Sequence, residues 1–254
     1  MKGFGVLLRK EIKEQFRTNK VIIVAAVFLI FGLLSPVMTK YLPEIINSMS
    51  GTDGIIFEMS DPVSNDAILS YASNIAQFGV LMAVLLAMGA ITKEIGSGTA
   101  ALLLSKPVSR LSFIVAKLTA EWLNMLLGLL LSGLACCIYT LLLFNDVSVM
   151  GFVYQMLLMA VYFAFCLVIT IFFSSLMKSQ IAAGGLAMAV IIIVSLLSIL
   201  PRVGHFLPGE LINWGNQLVL GTAGNVAWGA LAVVAGLIVL GVYGAWLSLR
   251  RKEL

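Results

Sequence analysis

The chain has 254 residues, 61% hydrophobic and only 11% charged, with a mean hydropathy of +1.06. A soluble domain holds about 25% charged and 45–50% apolar residues, so this composition excludes a soluble enzyme on a single anchor and indicates an all-α polytopic membrane protein. The net charge of +4 does not point to nucleic acid, because the basic residues gather at the ends of apolar runs.

Residues 1–20 place Phe4, Leu8, Ile12 and Phe16 at four-residue intervals, with Leu7 beside them and Arg9, Lys10, Lys13 and Arg17 elsewhere around the helix. That pattern predicts an amphipathic helix at the membrane surface. The N-terminus lacks a cleavage pattern of the secretory type, so Met1 is expected to stay. The first span is expected over 21–38. Residues 39–70 follow as an irregular exterior loop with Pro43, Gly51, Gly54 and Pro62. The second span covers 72–91.

A loop at 93–113 comes next. Gly96 and Gly98 let the backbone turn, and Ser97 or Thr99 can cap a short helix through Ala100 to Leu104. Pro107 stops that helix. Ser109 then caps the next one, which carries Arg110 towards the third span at 114–144. Lys117 and Glu121, one turn apart, are expected among the lipid headgroups. The fourth, fifth and sixth spans are expected at 152–173, 181–200 and 226–249. Between the last two, residues 201–225 form either a helix dipping into the membrane or one lying on its surface. The whole chain is thus read as one transmembrane domain.

All of the 16 lysines and arginines except Lys40 and Arg202 fall on one side of this layout. That side is expected to be cytoplasmic, with both termini on it, in the plasma membrane. Trp122 and Trp246 suit the inner interface, and Trp214 and Trp228 the outer one. Gly128, Ser132, Cys136 and Thr140 make one small-residue face on the third span; Ala232, Gly236 and Gly244 make another on the sixth. Such faces pack within the chain or against a second copy.

No charged residue or histidine lies centrally in any span, where each would cost about 2.5–3.5 kcal/mol. This argues against an ion-coupled carrier and against intramembrane proteases. One histidine, His205, cannot form an H-E-x-x-H pair. Cys136, Cys137 and Cys166 all lie in apolar runs and have no metal-ligand spacing. The sequence contains no G-x-x-x-x-G-K-[ST] loop, so any ATP would be bound by another polypeptide. The sparse interior polar residues, such as Asn74, Gln77, Asn124, Gln155, Thr170, Ser195 and Ser198, can bond helices together or line a path. A mostly apolar lining with hydroxyls favours amphiphilic cargo.

The order Glu94, Gly98-Thr99, Leu102-Leu103-Leu104-Ser105, Pro107, Ser109-Arg110 and then Lys117 resembles the corresponding loop of type-2 ABC exporter permeases. The resemblance implies a coupling helix in this loop that docks on a separate ABC ATPase subunit, which holds the ATP and magnesium. Leu102, Leu103 and Leu104 would supply the docked surface. Glu94 and Arg110 would orient it by charge pairing, and Gly98 would permit close approach. One departure is Ala100-Ala101, where many relatives carry an acid. The resemblance also implies an interfacial helix before the first span that touches the ATPase subunit, a re-entrant piece before the last, and pairing as a homodimer or with a related permease. The chain itself would be no enzyme and would hold no cofactor or metal. The competing readings are a gradient-driven carrier and a non-transport immunity or assembly protein.

Overall fold

The computed structural model describes residues 3–50, 62–99, 109–145, 147–200, 202–222 and 226–251. Six helices are long and apolar enough to cross a membrane: α2 (Lys20–Ser50), α3 (Ser64–Ala87), α5 (Arg110–Phe144), α6 (Val149–Leu176), α7 (Gln180–Leu197) and α9 (Trp228–Arg251). Three shorter helices join them: α1 (Phe4–Arg17), α4 (Thr92–Gly96) and α8 (Gly209–Val219), with a 3-10 turn at Gly204–Phe206. No strand occurs among the described residues.

The connection after the first span differs from expectation. Instead of an irregular loop from residue 39, α2 runs on through Pro36 and Pro43 to Ser50, and α3 already begins at Ser64. A proline removes one helical N–H donor, yet a membrane helix tolerates it where neighbours satisfy the freed groups. Pro36 and Pro43 leave the carbonyls of Gly32 and Thr39 without their helical donors; nearby, the Thr39 hydroxyl donates to the Ser35 carbonyl at 2.9 Å. Lys40 ties the prolonged helix to α5, donating to the Leu143 carbonyl at 2.7 Å beside the Phe144 ring.

Small residues set the helix spacing. α2 and α5 lie side by side in the same direction, Gly128 facing Val24 and Phe28, and Gly32 facing the Ser132 backbone. A Cβ at Gly32 would fall 2.4 Å from the Ser132 carbonyl oxygen, so only glycine permits this approach. The small-residue face of the third span is therefore consumed inside the chain: Gly128, Ser132, Cys136 and Thr140 are all buried. On the sixth span Gly244 meets Phe172, whereas Gly236 has no neighbour and Ala232 is exposed.

α6 is the hub, touching α3, α5, α7, α8 and α9. Its interior polar groups mostly find partners. Gln155 donates to Asn216 of α8 at 2.6 Å. Elsewhere Tyr71 bonds Ser132 at 2.8 Å, and Asn74 donates to Ser35 at 3.1 Å. α8 runs against the first turns of α6 in the opposite sense, Gly215 lying on Gln155 and Leu218 and Val219 on Gly151.

Candidate functional site

The residues flanking 100–108 gather at the end of the bundle where most of the basic side chains lie. Of the sequence-identified positions, Leu102, Leu103, Leu104, Ser105 and Pro107 lie outside the described residues. Glu94, Gly98, Thr99, Ser109 and Arg110 lie within them and form the two ends of the loop.

The incoming end is built on a break in the second span. After α3 the chain makes a turn at residues 88–91 before α4. Ser174 of α6 fills that break. Its hydroxyl accepts from the N–H groups of Ile91 and Thr92, both at 3.1 Å, and donates to the Met88 carbonyl at 2.9 Å. Thr92 returns its own hydroxyl to the Ser174 carbonyl at 2.8 Å. Two residues on, Glu94 turns inward. α4 ends at Gly96, and two residues on Gly98 takes a φ of 71°, a left-handed conformation that glycine adopts without strain. Ser97 and Thr99 bond each other at 2.8 Å, and one of the two hydroxyls, 3.4 and 3.2 Å from the Glu94 carbonyl, donates to it. In this arrangement their hydroxyls finish α4 from its C-terminal side.

The outgoing end starts at Ser109, whose Oγ accepts from the Ser112 N–H at 3.1 Å and caps α5 as the sequence predicts. Arg110 reaches across to the Leu249 carbonyl in the last turn of α9. A guanidinium is well placed there, because a helix C-terminus carries partial negative charge. Ser248 adds a bond from α9 to the Ser175 carbonyl of α6 at 2.8 Å.

Between the two ends lies a lattice of ion pairs that the sequence reading did not foresee. Lys117 is buried and holds Glu11 of α1 with both carboxylate oxygens at 3.1 Å, and Glu94 at 2.8 Å. Lys10 holds Glu94 at 2.8 Å, Glu11 at 3.0 Å and Glu14 at 3.3 Å. Burial alone would lower the Lys10 pKa, but the Glu94 and Glu11 carboxylates outweigh it and raise it above the ordinary lysine value. Next along α5, Glu121 pairs with Lys20 at 3.0 Å, and Lys20 also donates to the Leu86 carbonyl at 3.3 Å. Lys117 and Glu121 thus do not reach for headgroups. Packing of α1 and α2 against the first turns of α5, with Glu94 reaching in from α4, leaves them 4% and 5% exposed. The signal for this was Glu11, spaced four residues from Leu7 and from Gln15. Those three are the buried face of α1, while Phe16 of the apolar stripe is exposed.

Glu11, Glu14 and Glu94 bring carboxylate oxygens within 4.8 Å of one another, close enough for a metal ion. The Lys10 ammonium already touches all three, which makes the cluster an ion-pair lattice. One oxygen each of Glu94 and Glu121 has no hydrogen-bond partner among the described residues. Both residues border a cavity of about 150 Å³ that Gln15, Lys93 and Gln180 also line.

The arrangement joins the ends of one loop to α1, α5, α6 and α9. Comparison with known proteins agrees with a transport component. The chain is 26% identical over 257 residues to an uncharacterized transmembrane protein, YxlG, of Bacillus subtilis (strain 168), covering 100% of this chain and 99% of that one. Residues 6–208 match the family described as ABC-2 family transporter protein. The chain therefore belongs to the ABC-2 family of membrane transporter proteins.

Proposed function

We propose that this chain is the permease subunit of an ATP-driven ABC exporter, moving an amphiphilic substrate with energy from a separate ATPase subunit. Two permeases, identical or related, stand over two ATPases in the plasma membrane, with both termini and the 93–113 loop in the cytoplasm. ATP and magnesium stay on the partner. The segment after Thr99 docks through Leu102, Leu103 and Leu104, and its movement is passed to the spans.

One observation carries this reading: both ends of the loop are fixed to several spans at once. Glu94 is locked to α1 and α5, Thr92 to α6, and Arg110 to α9. A force on residues 100–108 would therefore reach most of the bundle. Glu94 and Arg110 act here as internal struts, and the apolar side chains between them meet the partner.

Leu103→Glu in the chain co-expressed with its ATPase tests the docking. Membrane insertion is expected to be normal, while ATP-dependent transport falls at least about tenfold, the equivalent of about 1.4 kcal/mol of docking energy. Unchanged transport would overturn the docking role. Gly98 is a poorer probe, because any side chain there is strained by the left-handed backbone.

A further inference from the structure

α1 divides its positive charges between two jobs. Lys10 faces the lattice, whereas Arg9, Lys13 and Arg17 are exposed, and none makes an ion pair among the described residues. Their spacing of four residues sets them in a row along one side of the helix. At about 100° per residue, that row is centred roughly 160° from the buried face of Leu7, Glu11 and Gln15. The stripe of Phe4, Leu8, Ile12 and Phe16 lies between the two, about 80° from the buried face.

These angles fix the surroundings of the row. Phe4 and Leu8 of the stripe pack partly against the core, which leaves Ile12 and the exposed Phe16 for the membrane. With these in the membrane and the buried face against the bundle, the basic row points sideways, away from the protein and slightly towards water. That is the level of lipid headgroups. The side turned to water carries Lys10 and Glu14, paired at 3.3 Å within the lattice in which Lys10 also holds Glu11 and Glu94. A partner approaching from the water phase would meet charges already paired, while the unpaired cations face the surrounding lipid.

We propose that Arg9, Lys13 and Arg17 form a binding row for the phosphates of anionic phospholipids, selecting the lipid beside α1. Each cation near an anionic surface adds attraction that salt weakens. This inference is independent of the docking role of the loop.

The test uses the purified full chain in mixed micelles with equal phosphatidylglycerol and phosphatidylcholine of matched acyl chains, the retained lipid being counted by native mass spectrometry. The wild type is expected to retain phosphatidylglycerol roughly tenfold over phosphatidylcholine or better, and to lose the preference in about 0.5 M salt. R9Q/K13Q/R17Q should bring the ratio near one. K178Q/R251Q, which removes two other exposed cations of the same end, should leave it intact. Lys13→Gln alone, at the exposed middle of the row, should lower it about threefold and serves if the triple variant does not fold. Equal retention of the two lipids by the wild type would overturn the proposal. So would a preference that survives both the triple variant and Lys13→Gln.

Discussion

Lys117 is the side chain on which the loop base turns. It is buried and serves two carboxylates from different elements, Glu11 and Glu94. Removing one partner of a buried ion pair strands the other charge and costs about 3–5 kcal/mol. Lys117→Met is therefore expected to destabilise the chain by about that amount in denaturant titration of the detergent-solubilised protein. A double-mutant cycle with Glu11→Gln should return a coupling of about 0.5–3 kcal/mol; simple additivity would mean that the pair is not formed. Ser174→Ala makes a second case. It leaves the N–H groups of Ile91 and Thr92 without an acceptor in a buried turn, at about 1–3 kcal/mol. Ser174→Cys, of similar size and weaker acceptor strength, should fall between. Neither role was legible beforehand. A lone serine near the end of an apolar run reads as filler, and Lys117 at a span terminus reads as a headgroup anchor. Only the packing of α1 over α5 turns one into a cap and the other into a strut.

At the scale of elements, glycines distinguish the helix contacts that are made inside the chain from the faces left open. Gly32→Val places a Cβ against the Ser132 backbone, where no side chain can move aside, and should abolish a monodisperse folded species in size-exclusion chromatography. Gly236→Ala and Gly185→Ala meet nothing within 4 Å and should be neutral, or stabilising by up to about 1 kcal/mol from helix propensity alone. The sequence made the spans readable because 18 or more apolar residues leave little else to build, and the polar caps at Ser109 and Asn145 mark their ends. It does not foresee that the first long helix continues beyond residue 38, because Pro43 counts among the residues that make 39–70 irregular. Pro36 and Pro43 instead sit within one continuous helix whose second half is tied to α5 by Lys40.

For the whole molecule, the architecture concentrates its ionic bonds at one end and leaves the membrane-crossing part to close apolar packing. α6 holds the centre, with α7 and α9 less buried around it. Under the proposed function, displacement applied at the ion-paired end passes into this packed body. The most direct measurement is crosslinking from the loop base in native membranes. Ser97 is exposed beside the left-handed turn at Gly98, and Ser97→Cys can carry a photoreactive maleimide. The account predicts that this cysteine reacts with an impermeant maleimide in inside-out vesicles and not in intact cells, and that illumination joins it to a polypeptide containing the G-x-x-x-x-G-K-[ST] phosphate loop. Labelling from outside the cell, or crosslinks that never include a nucleotide-binding protein, would contradict it.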